Sequence, residues 1–245
     1  MASLDYDDAA MEIRADIKAA HARTWRRIGA PGTWFDGRTR VAIAAETRHA
    51  EACSLCAARK AALSPFAVDG VHDSLGALPD NVVEVVHRIV TDPGRLTQGW
   101  YRKCLETGLT DAEYVEIVGV ACSTLSVDTF ARAVGVARRD LPEPQAGAPS
   151  KVRPAEASQG PAWVPWIAGP DARGDDIPNF GPGASNVRRS LSLVPADAHG
   201  FFDLVAAQYL EADQMKDIGG RYRAIDRAQI ELIAGRISFL NQCAY

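Results

Sequence analysis

Two cysteines, Cys53 and Cys56, bracket Ser54 and Leu55 in this 245-residue chain. A dithiol/disulfide centre uses this Cys-x-x-Cys spacing. Ionisable residues recur around the pair: Glu46, His49, Cys53, Cys56 and Lys60 follow one another at spacings of three, four, three and four. On a continuous helix such spacing stacks all five side chains along one stripe. An imidazolium or ammonium beside a thiol stabilises the thiolate, and a carboxylate can pass protons. The stripe therefore suits a redox dithiol. The plainer alternative makes Cys53 and Cys56 small buried hydrophobes, with Glu46, His49 and Lys60 merely bordering them.

A Cys-x-x-Cys pair also supplies half of a tetrahedral zinc site. No second pair follows, because Cys104 and Cys122 are isolated and the five histidines show no His-x-x-x-His spacing. The sequence therefore assigns no metal, leaving only a zinc shared between subunits as a route to one. A thioredoxin-like centre would sit near a βαβ pattern, and none is visible.

A second cysteine segment lies at the end of the chain. Set beneath residues 39–53, residues 229–243 repeat the apolar spacing up to a cysteine, Cys243. Glu231 lies twelve positions before it, about 18 Å along an unbroken helix. The two could meet only if the chain turned just before the cysteine. Asn241 as an N-cap would put Cys243 in the first turn of a new helix, where the dipole favours thiolate. Asn241 as a helix end would leave Cys243 at a frayed terminus.

These groups need elements to hold them, and the periodicity is helical nearly throughout, so an all-α fold is expected. An amphipathic stretch runs from Asp7 to Arg26. Residues 39–63 form one long Ala-rich helix or two in tandem, stopped by Ser64-Pro65, and residues 80–90 form a short apolar helix. Thr110 and Glu113 make a capping box that opens a helix through residue 136, and Asp226 with Gln229 repeats the device before the last helix. Helices are also expected at 186–194 and 196–212. Residues 141–185 hold most of the prolines and read as a linker over the surface. The expected organisation is a helical unit over 1–140, this linker, and a second helical unit over 186–245. Trp25, Trp34 and Trp100 read as core anchors, and Trp163 with Trp166 as pins for the linker. His72 and His87 are not placed by sequence, and a lone His beside "VVEVV" reads as a helix-surface residue.

A formal charge of −4 gives no reason to expect a nucleic-acid or anionic-membrane partner. The opening residues lack a basic, then apolar, signal pattern, and no stretch reads as membrane-spanning, so a cytoplasmic protein is expected. Five cysteines there are reactive, metal-bound or buried thiols before they are structural disulfides. The segment "FGPGASN" lacks the preceding strand of a phosphate loop, and no organic cofactor is inferred.

The segment "AQIELIAGRISFLNQCAY" resembles the start of the core motif of the alkylhydroperoxidase AhpD and carboxymuconolactone decarboxylase superfamily: a Glu, eleven residues, Cys-x-x-Cys, three residues and His. Residues 31–65 and 108–136 are similar to its two helical blocks. The resemblance implies an all-helical, commonly homo-oligomeric protein. In it a cysteine pair reduces hydroperoxides, a Glu and a His relay protons, and a dithiol or thioredoxin-like protein serves as reductant. Cys53 and Cys56 match the redox pair in the first copy, where Val41 stands at the Glu position and Lys60 at the His position, so that Glu46 or His49 would have to substitute. Glu231 and Cys243 match in the second copy. Selenoprotein forms of this type carry Cys-x-x-Sec, which leads to the expectation that Tyr245 precedes an in-frame UGA, followed by selenocysteine and then His. The function expected is thiol- or selenol-dependent peroxidase or disulfide oxidoreductase. The alternatives are a decarboxylase-like enzyme of the same superfamily and a non-catalytic helical oligomerisation module.

Overall fold

Ala-rich and Val-rich runs punctuated by Gly, Pro and capping side chains become ten helical segments in the computed structural model, which describes residues 4–211, 213–241 and 243. In order they are α1 (Ala15–Gly29), α2 (Gly37–His49), α3 (Ser54–Ala61), α4 (Asp80–Thr91), α5 (Gln98–Glu106), α6 (Asp111–Ala133), α7 (Ile177–Phe180), α8 (Asn186–Arg189), α9 (Pro195–Gln208) and α10 (Arg227–Leu240). The fold is all-α. Its only extended pairing among the described residues is a two-residue antiparallel bridge, β1 (Ala157–Ser158) with β2 (Trp166–Ile167), which is too short to leave a period-two signature.

The chain divides into two units, residues 1–204 and 205–245. In the first, α2 packs against α1, α4 and α6, and α4 against α6. Helix α6 is buried on most of its circumference, with Val115, Ile117, Val120, Ala121, Val127 and Ala131 in the core. Contrary to the expectation that no stretch has a membrane-spanning pattern, it has the length and composition to cross a bilayer. Most of its apolar stretch is covered by the rest of the fold, as in a core helix of a soluble protein. The Thr110–Glu113 capping box is formed: Glu113 N–H donates to Thr110 Oγ1 at 3.2 Å and Thr110 N–H to Glu113 Oε2 at 2.9 Å.

The expected linker is part of this unit. Its first half lies along the 29–33 loop, with Gln145 N–H donating to Gly29 O at 2.8 Å and Lys151 N–H to Thr33 O at 2.8 Å. Its second half supplies core, since Val164, Trp166, Ile167 and Phe180 are buried. Trp163 is 38% exposed and stacks on Tyr101. Trp25 and Trp100 are buried, whereas Trp34 is half-buried beneath the Lys151 ammonium.

A charged triad sits in the core of the first unit. Arg40 of α2 donates to both Asp197 oxygens, at 2.9 and 2.7 Å, and to Glu116 Oε1, and all three side chains are withdrawn from solvent. Glu116 also accepts the Trp34 N–H at 2.6 Å.

In the second unit α10 opens on the expected Asp226–Gln229 capping box. It has no buried residue, and Leu232, Ile233, Ile237, Phe239 and Leu240 are exposed. Asn241 is its C-cap, and the Cys243 N–H bonds back to Ser238 O at 3.0 Å. Asn241 thus closes α10, its own N–H and amide both bonding to Ile237 O. Ala212, Gln242, Ala244 and Tyr245, on which the ends of two expected helices and the expected selenocysteine continuation rest, lie outside the described residues.

Candidate functional site

The stripe expected on one helix is broken at its centre. Helix α2 ends at His49, Ala50–Ala52 tighten into a 3-10 turn, and Cys53 is extended (φ −69°, ψ 124°) as the N-cap of α3. No glycine or proline forces this. The Asp73 carboxylate accepts the Ser54 N–H at 2.7 Å, satisfying an amide that a continuous helix would have bonded internally. The break puts Cys53 at the mouth of α3 and Cys56 in its first turn. Both are buried, Cys53 at 1% exposure.

Two histidines that the sequence did not assign close over the pair. Asp73, held on Ser54, draws in its neighbour His72, whose Nδ1 lies 3.5 Å from the Sγ of Cys53 and 3.5 Å from that of Cys56. His87 comes from α4 and is fully buried, a correction to its reading as a surface residue. It shares the core-facing side of α4 with Val83 and Val86, and its Nδ1 lies 3.3 Å from Cys56 Sγ. The two rings are 4.3 Å apart between centroids.

Each imidazole is backed by a carboxylate. His87 Nε2 meets Glu46 Oε1 at 2.8 Å, and Glu46, also fully buried, accepts the Leu75 N–H at 3.1 Å. His72 Nε2 meets Glu84 Oε2 at 2.8 Å, and Glu84 further accepts Arg59 Nη1 at 2.9 Å and the Trp100 indole N–H at 2.9 Å. Each Nε2 is thus engaged by a carboxylate, and both Nδ1 atoms are left facing sulfur.

The electrostatics differ between the two branches. For His72 burial opposes the charge, but the Cys56 thiol, Glu84 and the Cys53 thiol outweigh it and raise the pKa to about 10. For His87 burial dominates and lowers the pKa, against the pull of Glu46 and with the help of His72. Burial would raise Cys53, yet the Cys56 N–H, His72, the Asp73 N–H and the Cys56 thiol together hold it below the ordinary thiol value. Glu84, despite burial, is lowered to about 2 by His72, Trp100 and Arg59. The result is an imidazolium between a carboxylate and two sulfurs, beside a neutral imidazole on the second sulfur.

Of the residues singled out in sequence, the structure brings Glu46, Cys53 and Cys56 together. His49 stands beside them, half-buried, its ring centroid 6.5 Å from that of His87. Lys60 is exposed, because the break at Cys53 takes α3 off the α2 helical register. Glu231 and Cys243 belong to the second unit. Glu231 accepts from Tyr209 Oη at 2.6 Å and from Arg227 Nε at 2.7 Å, and Cys243 is exposed.

A cavity of about 560 Å³ adjoins the site, lined by Asp80, Asn81, Glu84, Trp100, Lys103, Cys104 and Thr107. Glu84 is common to both. Comparison of the chain with family models, with curated proteins and with solved structures gives no match.

Proposed function

We propose that the protein is a thiol-dependent peroxidase or disulfide oxidoreductase whose redox pair is Cys53 and Cys56. One observation carries the reading: two adjacent buried thiols face two imidazole nitrogens, and each imidazole is backed by a carboxylate. Acid, base and nucleophile are thus within reach of one another before substrate arrives. The resemblance of residues 31–65 and 108–136 to AhpD-type helical blocks points the same way.

In this scheme the Cys53 thiolate attacks the outer oxygen of a hydroperoxide. The S–O bond forms as the O–O bond breaks, and the departing alkoxide takes the His72 proton to leave as an alcohol. Cys56 passes its proton to His87, which Glu46 steadies, and its thiolate attacks the Cys53 sulfenic acid. The S–S bond forms, and the expelled hydroxide leaves as water with that proton. The peroxide has gained two electrons and the thiol pair has lost them. An external dithiol returns them with two protons.

The test is hydroperoxide consumption by the reduced chain with a small dithiol as reductant, compared with Cys53→Ser and Cys56→Ser. The expected result is turnover in the wild type, none in Cys53→Ser, and a trapped sulfenic acid in Cys56→Ser. Turnover that survives both substitutions overturns the assignment. A decarboxylase-like activity retained by the double variant would instead favour the other branch of the superfamily.

A further inference from the structure

We propose that Cys53, Cys56, His72 and His87 also form a tetrahedral site for a soft divalent cation, Zn²⁺. The assignment uses the same four side chains as the redox reading but does not rest on peroxide chemistry. Their four ligand atoms lie within 4.8 Å of one another. With Zn–S of about 2.3 Å and Zn–N of about 2.0–2.1 Å, a regular tetrahedron has S···N edges of about 3.6 Å. Three of the four S···N separations are 3.5, 3.5 and 3.3 Å, and the fourth, between Cys53 and His87, lies within the 4.8 Å that spans the whole set.

The hydrogen inventory favours a metal. His72 Nδ1 has at most one hydrogen and faces two sulfurs at the same 3.5 Å, so protons serve the three contacts only by sharing that one N–H between two acceptors. One cation at the centre satisfies them all. The outer contacts fit as well: both Nε2 atoms are committed to carboxylates at 2.8 Å, an arrangement that fixes the ligating tautomer and raises the basicity of the ring. Two thiolates neutralise the divalent charge inside a buried site, as burial requires. The sequence hid the set because the second pair of ligands comes from a loop and from α4, with no local motif of its own.

Zinc and the disulfide exclude each other, since a disulfide sulfur has given up the electron density a thiolate donates. A bound cation therefore keeps the dithiol reduced and closed to peroxide, and oxidation of the pair requires its release.

The test is a titration of the full chain, reduced and freed of metal with EDTA under anaerobic conditions, with Co²⁺ and then Zn²⁺. The expected result is one Co²⁺ per chain, with the visible bands of a tetrahedral ion and near-ultraviolet thiolate-to-cobalt charge transfer, both abolished when Zn²⁺ displaces it. Glu84→Gln, which keeps every direct ligand, should weaken Zn²⁺ binding about 10- to 100-fold, and Cys56→Ser should remove much of the charge transfer. Folding of each variant is checked by circular dichroism. An octahedral spectrum, non-saturating binding, or binding unchanged in folded Cys56→Ser and His87→Ala overturns the site. Mass spectrometry of the metal-free protein after peroxide treatment separates the two readings. Disulfide formation without cobalt binding removes only the metal site, and cobalt binding without disulfide formation removes only the redox function.

Discussion

Arg40→Met should destabilise the first unit by about 3 kcal/mol, the low end of the range for breaking a buried ion pair by removing one partner. The arginine is fully withdrawn from water and answers two carboxylates. Methionine fills much of the volume, so packing loss is small and the cost is electrostatic. Three features hold it down. Arg27 remains 3.6 Å from Asp197, and the Trp34 N–H still serves Glu116. Arg40 Nε also lacks a hydrogen-bond partner, so its removal relieves one unmet donor. The loss should shrink in acid. Burial and the charge of Asp197 already hold Glu116 above the usual carboxylate range, with Arg40 opposing them, and the substitution removes that opposition. A carboxyl that binds its proton more tightly folded than unfolded gains stability as pH falls through its folded pKa. All five tryptophans lie in the first unit, so urea unfolding followed by tryptophan fluorescence reports that unit alone. The wild-type-to-variant gap at pH 8 should exceed the gap at pH 5, and adding Glu116→Gln to the variant should recover part of the loss. A loss below about 1 kcal/mol, the range of exposed pairs, or a gap that widens toward pH 5, would refute the reasoning.

Further outcomes follow from single features. Burial holds His21 at about 4, where its Nδ1 pairs with Tyr6 Oη at 2.6 Å. The unfolded chain takes up this proton near 6.5 and the folded one does not, so stability should fall by about 3 kcal/mol between pH 6.5 and 4, with a flatter urea-midpoint profile in His21→Gln. Burial raises Cys104 to about 12 and Cys122 to about 11. Maleimide at neutral pH should therefore label exposed Cys243 in the folded chain, and these two only after unfolding, as read by peptide mass spectrometry. Gly32→Ala should lower the thermal midpoint, because a Cβ there would collide with Glu116 Oε1 and Arg40 Nη1; an unchanged midpoint would show that the triad can shift freely. Thr110→Ala should cost about 1 kcal/mol in urea unfolding through loss of the capping box on α6.

Local chemistry made part of this molecule legible. The capping boxes at Thr110 and Asp226 are contiguous in sequence and depend on nothing distant. The Cys53/Cys56 pair was visible for the same reason. The bend that gives the pair its form was not, since Ala50, Glu51 and Ala52 are permissive helix residues and the group that ends the helix, Asp73, lies twenty positions beyond Cys53. Nor were the imidazoles, which reach the sulfurs only after the loop before α4 folds back. One trace was available: Glu84 and His87, three apart in a run of valines, place two polar groups on a helix whose apolar side must be buried. Residues 141–185 misled through composition. Prolines exclude long helices there but say nothing against burying Trp166, Ile167 and Phe180.

Glu84 spends one oxygen on the Trp100 indole at the cavity wall and the other on His72 and Arg59. A single carboxylate thus reports each compartment to the other. A guest that added positive charge beside that oxygen would weaken the grip on the imidazolium, one that drew the indole away would tighten it, and by reciprocity a change in charge at the sulfurs would alter the binding of either.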